Sequence, residues 1–149
     1  MVRYRKAVFI VTYARTKKGF DYLVLKRKLH WKGWEFPKGA INFLETKKKA
    51  VKRELKDETG LLPLRIKKFN FSGKYNYPKI LPDRPGFRGQ SFSLYATEVK
   101  KLKVKPDNYE HDNYKWVNYQ KALQMLKWPN QRKSLKIVNK WLKEKSQKA

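Results

Sequence analysis

Hydrophobic and polar positions alternate in short runs near the start of the chain. Val8 to Tyr13 and Phe20 to Leu25 are both rich in β-branched and aromatic residues, with turn-forming Lys17-Lys18-Gly19 between them. That order predicts a β-hairpin. Trp31 to Gly39, dense in aromatics and loop formers, reads as a connection. Thr46 then stands where a helix cap belongs, so a helix is expected to about Thr59, with Gly60 at its stop. Arg65 to Phe71 alternates as a half-buried strand should. Tyr75 to Gly89 holds Pro78, Pro82, Pro85 and two glycines and reads as a long loop. Ser91 to Val99 alternates again, with Phe92, Leu94 and Ala96 on one side, and Tyr114 to Tyr119 is a further short strand. A helix follows from Gln120 to about Trp128, ended by Pro129. A closing helix from Gln131 to Lys145 carries a stripe of Leu135, Val138, Trp141 and Leu142. The residues from Glu144 to Ala149 are expected to fray. Strands then a helix, then strands then helices, predicts an α+β, sandwich-like arrangement. No repeat or linker interrupts it, so residues 1–149 read as one domain.

Composition narrows this picture. Hydrophobic residues make up 40% and aromatics 15% of 149 positions, enough to build a core and exclude a disordered chain. No apolar run is long enough to cross a bilayer. The basic and then apolar start stops at Thr12-Tyr13-Ala14-Arg15 without a cleavage-site pattern. The absence of cysteine leaves no disulfide framework and no thiolate metal site. A cytoplasmic protein is the expectation, with no membrane role and no obligate protein partner. The net charge is +26, from 38 Lys and Arg against 12 Asp and Glu. Such a field draws polyanions: RNA, free polyphosphates or an anionic surface. The charge alone names none of them, and lysine-rich solvated faces account for it equally well.

Against that basic background one acidic group stands out. On a helix from Thr46 to Thr59, Glu54 and Glu58 lie one turn apart on one face with Asp57 beside them, while Val51 and Leu55 take a neighbouring stripe. Adjacent carboxylates repel. A hard divalent cation relieves that repulsion, because oxygen ligands and concentrated negative charge are what Mg²⁺ or Mn²⁺ selects. The alternative is a solvated face neutralised by Lys52, Arg53 and Lys56.

The flanks extend the pattern. Gly39 is followed after five residues by Glu45, and after seven more by Arg53-Glu-Leu-Lys-Asp-Glu-Thr-Gly-Leu61. This closely resembles the Nudix box, with all nine defined positions matched except Asp57, where that family usually has Glu. The resemblance implies a Nudix-type αβα sandwich with a mixed central sheet, and a metal-dependent hydrolase that cleaves phosphoanhydride bonds. It implies that Glu54, Glu58 and the Gly39 carbonyl ligate Mg²⁺ or Mn²⁺. Asp57, one methylene shorter than the usual residue, would do so directly or through water. Arg53 would hold the acids in place by pairing with Glu45. Glu110, shortly before an aromatic–basic–Trp strand, resembles an acid in the diadenosine polyphosphate hydrolase and RNA 5′-pyrophosphohydrolase branches, which implies that it faces the metal from outside the box. His111 and Asp112 are weaker candidates. Glu54, Glu58 and Glu110 all remain open as the general base.

The substrate is read from residues around the box. Trp34-Glu-Phe-Pro-Lys-Gly39 resembles the entry to the box in those same branches, which makes Lys38 a candidate phosphate contact. Lys74-Tyr-Asn-Tyr-Pro-Lys79 and Gly89-Gln90 are similar to the pyrophosphohydrolase pattern, with Tyr75 and Tyr77 as candidates to stack on a base and Lys79 beside them. A dinucleoside polyphosphate such as diadenosine tetraphosphate leads. The 5′ end of RNA is the alternative toward which the basic surface tilts. A nucleoside triphosphate comes third, and an RNA-binding protein of this fold with little catalysis is a different class altogether.

Overall fold

Side chains on successive strand positions point to opposite faces of a sheet, and here both faces are covered. The computed structural model describes residues 3–147. Strands β1 (Tyr4–Thr16) and β2 (Gly19–Arg27) form a hairpin, antiparallel from Tyr13↔Tyr22 to Thr16↔Gly19. Val8 and Ile10 turn one way, against Ala50 and Val51 of helix α1 (Lys47–Thr59). Phe9, Val11 and Tyr13 turn the other way, against Leu135, Val138 and Leu142 of α3 (Pro129–Gln147) and Ala122 of α2 (Tyr119–Met125). β2 divides alike: Leu23 and Leu25 reach Leu55 of α1, while Tyr22 and Val24 join the α3 side. The result is an α+β sandwich with the sheet in the middle.

The sheet is mixed. Besides β1 and β2 it contains β3 (Gly33–Glu35), β4 (Lys38–Ala40), β5 (Arg65–Asn76), β6 (Gly89–Glu98) and β7 (His111–Val117). The main path runs β3-β2-β1-β6-β5, with β4 on β1 and β7 on β2. β1 and β6 are parallel, from Tyr4↔Gly89 to Tyr13↔Glu98, and the other pairs between named strands are antiparallel.

Several boundaries differ from the periodicity reading. The connection from Trp31 to Gly39 contains β3 and the first residues of β4, separated by Pro37, which lacks an N–H for a ladder. β5 runs on to Asn76, because Tyr75↔Gln90 and Asn76↔Gly89 still pair before Pro78 stops the strand, so the long loop is 77–88. Asn118 ends β7's run by capping α2, accepting from Lys121 N–H at 2.9 Å, which makes Tyr119 helical. Pro129 begins α3 instead of merely closing α2, since a first-turn position has no N–H to lose. α3 continues through Gln147, so the segment expected to fray is helical that far, and Lys148 and Ala149 lie outside the described residues. Among the described residues no helix is long and apolar enough to cross a membrane.

Candidate active site

The helix that carries the acids is held at both ends by local chemistry. Thr46 caps α1, its hydroxyl accepting from Lys49 N–H at 3.2 Å. Gly60 closes it in the left-handed region at φ 77°, its N–H donating to the Lys56 carbonyl at 2.8 Å. Arg53, on the solvent side, grips Glu45 with two hydrogen bonds of 2.8 Å, donates to Glu54 Oε1 at 2.6 Å and to the Ala40 carbonyl at 2.7 Å. One guanidinium thus ties α1 to the loop before it and to β4. Held by Arg53 and by the Asn42 N–H, Glu45 drops to a pKa of about 2.

Across β4, Gly39 faces the Glu54 carboxylate so closely that a Cβ there would overlap it. Glycine leaves the Glu54 carboxylate room to lie against β4. The neighbouring Lys38 N–H donates to Glu58 Oε2 at 3.0 Å. Glu58 is 3% exposed, and burial pushes its carboxyl well above the ordinary range, with Glu110, Glu54 and Glu35 adding to the effect. Glu54 is raised too, by burial first and by Glu110 and Asp57 after it, with Arg53 opposing. Asp57 sits further out, its side chain 62% exposed and only 3.9 Å from Arg53.

A second set of charges lies beneath. Arg27, at the end of β2, is buried and donates to Glu35 Oε2 at 3.1 Å and Glu110 Oε2 at 3.3 Å. His111 Nε2–H donates to the same Glu35 oxygen at 2.8 Å, leaving its buried Nδ1 without a partner. Burial works against ionising Glu35, but Lys38, the His111 hydrogen bond and Arg27 together hold it well below the ordinary carboxylate range. Two buried carboxylates therefore sit side by side with opposite tendencies: Glu35 fixed as an anion among cations, Glu58 pushed toward its neutral form among anions. One donor atom each from Glu58, Glu110 and His111 lies within 4.8 Å of the others. Asp112 points elsewhere and is exposed.

Beside the acids opens an apolar cavity of about 180 Å³, lined by Trp31, Lys38, Tyr75, Pro78 and Trp128 among others. Trp31 and Trp128 meet edge to face at 5.8 Å. The Lys38 ammonium lies over the Trp31 ring at 5.3 Å, so this lysine belongs to the cavity wall nearest the acids. Tyr75 presents itself here and receives a hydrogen bond from Gln90 Nε2 at 2.7 Å. Tyr77 does not line this cavity. Its ring is buried, and its hydroxyl contacts Gln90 and Arg84 at 3.2 and 3.0 Å. Lys79 lies beyond it on the proline-rich loop.

A family model for the NUDIX domain matches residues 3–137. The chain belongs to the NUDIX family. Among curated relatives, this NUDIX chain is 29% identical over 104 residues to an RNA pyrophosphohydrolase of Acinetobacter baylyi, covering 62% of this chain and 63% of that protein. It is 33% identical over 106 residues to an RNA pyrophosphohydrolase of Xanthomonas campestris, covering 62% of this chain and 51% of the other. The chain thus spans between about half and two thirds of the length of these relatives. A putative NUDIX hydrolase of Listeria monocytogenes superposes with a TM-score of 0.79 at 20% identity, over 93% of this chain and 94% of that one. That likeness is one of fold.

Three features of this NUDIX site were not found from the sequence. Arg27 and Glu35 carried no motif, although the alternation Leu23, Leu25, Arg27 places an arginine on a buried face, where a charge must be paired. Trp128, in the turn between two helices, reaches the cavity only through the packing of α3, and no local signal announces it.

Proposed function

We propose that this protein is a divalent-metal-dependent pyrophosphohydrolase that adds water across a phosphoanhydride bond of a nucleotide-type substrate. The observation that carries the reading is geometric: Glu58, Glu110 and His111 each place one donor atom within 4.8 Å of the others, and Glu54 lies one turn from Glu58 on α1. Buried carboxylates such as Glu54 and Glu58, with a third beside them, fit a hard dication, and Gly39 brings its backbone close to them for want of a side chain. Glu54, Glu58, Glu110 and the Gly39 carbonyl would hold Mg²⁺ or Mn²⁺, with Asp57 reaching it through water. An ion held there would supply charge neutralisation for a polyphosphate and a more acidic water. The chain's own part is positioning. Arg53 orients Glu54, the Lys38 N–H orients Glu58, and Arg27 holds Glu110 beside them. One of these carboxylates takes the proton from the attacking water. Lys38 offers a cation to the polyphosphate, and Tyr75, Trp31 and Trp128 offer faces and edges to one base.

Of the two substrates the sequence leaves open, the 5′ end of RNA is the better supported. The aromatic cavity offers a seat for the base of a first nucleotide, and two relatives carry the name RNA pyrophosphohydrolase. The test supplies diadenosine tetraphosphate and 5′-triphosphorylated RNA in parallel with Mg²⁺ and analyses the products. Faster release of pyrophosphate from RNA supports the first reading. Faster conversion of the dinucleotide to ATP and AMP supports the second. No turnover of either, with or without Mn²⁺, defeats both.

A further inference from the structure

Behind the proline-rich loop lies a second depression of about 580 Å³, lined by Arg3, Lys79, Arg84 and Arg88 together with Phe87 and Tyr77, and by no carboxylate. Asp83, next to Arg84 in the chain, is engaged elsewhere, its two oxygens 3.0 and 3.1 Å from His30 Nε2. Arg84 is 8% exposed, yet among the described residues it forms no ion pair. Its guanidinium donates to the Tyr77 hydroxyl at 3.0 Å and to Gln90 Oε1 at 3.1 Å, two neutral groups. Gln90 Oε1 also accepts from Arg5 at 3.1 Å, so two guanidinium groups converge on one uncharged oxygen. A buried cation without a counter-charge is costly unless an anion completes it. Arg3 lies over the Phe87 ring at 4.8 Å and its carbonyl accepts from Arg88 N–H at 2.9 Å, which fixes the wall of the depression. Asn76 lines both this depression and the aromatic cavity, so the two are adjacent across one residue.

We propose that this trough binds the phosphodiester backbone of single-stranded RNA, taking the nucleotides that follow the one seated at the reaction site. Guanidinium forks match phosphate oxygens, and four cations spread along a trough suit a linear polyanion better than one compact anion. The direction of the strand rests on the hydrolase reading above. The binding does not.

The experiment uses Arg3→Gln/Arg88→Gln, two exposed positions, with an unchanged melting temperature as the folding control. Its first arm measures affinity for a 5′-hydroxyl RNA of about eight nucleotides, within the usual span of single-strand sites. This probe has no phosphoanhydride bond to cleave. The double variant is expected to bind it about tenfold more weakly, with a salt slope shallower by about 1.4, roughly 0.7 for each arginine on a single strand. In the second arm, KM for the 5′-triphosphorylated oligomer rises while KM for a nucleoside triphosphate stays put. Unchanged oligomer affinity overturns the proposal. So does equal weakening toward the nucleoside triphosphate, which would make these residues part of the reaction pocket, or inorganic tripolyphosphate binding the trough as tightly as the oligomer. Oligomer binding that depends on the two arginines, with no hydrolysis of any substrate, upholds the trough and defeats the hydrolase reading alone.

Discussion

Glu58 carries opposed demands in one side chain. Its folded-state carboxyl is raised by burial and by Glu110, Glu54 and Glu35, so folding without a cation is disfavoured once Glu58 ionises. A carboxyl raised above its unfolded value binds its proton more tightly in the folded state. Stability of the metal-free protein should therefore fall as pH rises from the unfolded pKa of about 4.3 through the raised folded value. Glu58→Gln should reduce that pH dependence, leaving the part due to Glu54, and raise the melting temperature in chelator at pH 8, while lowering kcat/KM on the order of a hundredfold or more. Mg²⁺ should stabilise wild type and not the variant. Thermal melting across pH, with and without chelator, checks the sign, and a variant less stable than wild type in chelator would contradict it. Glu35 is the opposite case. It is held as an anion against Arg27 and His111, and Glu35→Gln leaves Arg27 with the looser Glu110 contact as its one carboxylate. Denaturant titration should show a loss of about 3 kcal/mol, the usual scale for breaking a buried pair.

At the scale of elements, the site was legible where its spacing is local. A helix with a fixed register, a cap at Thr46 and a glycine stop at Gly60 carries its acids wherever it goes, so α1 and its carboxylates could be read from the chain. What joins distant elements could not. Glu35 on β3, Arg27 on β2 and His111 on β7 meet because β2 pairs with both of the others, and no count along the sequence contains that. The loop from 75 to 89 was misjudged at its ends for a related reason: prolines mark where pairing must stop, but only the partner strand determines how far it goes. That extension matters, because it places Tyr75 on a strand end, facing the aromatic cavity, and turns Tyr77 inward. Tyr75→Ala should raise KM for the preferred substrate about tenfold with a smaller change in kcat, as expected for one lost stacking contact. An unchanged KM would remove Tyr75 from the base seat.

For the molecule as a whole, the two signs of charge are unevenly placed. Glu35, Glu45, Glu54, Asp57, Glu58 and Glu110, half of the 12 acids, lie in and around the candidate site, while most of the 38 Lys and Arg lie away from it. The long-range field is therefore attractive to anions even though the candidate site itself is rich in carboxylates. Raising KCl from about 50 to about 200 mM should raise KM for a triphosphorylated RNA strongly and leave kcat nearly constant, because counterion release acts on encounter and binding. Equal KM at both salt concentrations would assign the surface charge no part in substrate capture.

The parallel pairing of β1 with β6 has a consequence in time as well as space. Arg5 and Gln90, which meet in its register, stand 85 positions apart, and nothing nearer in the chain can lie in β6's place. The β1–β2 hairpin and helix α1 are local and can close early, whereas the middle of the sheet must wait for a long loop to be drawn shut. Until then Val8, Ile10 and Val11 have an open edge beside them, and a nascent chain would pass through a stage in which that apolar edge is available to any other strand. Its large positive charge then serves a second purpose, keeping such half-made copies apart.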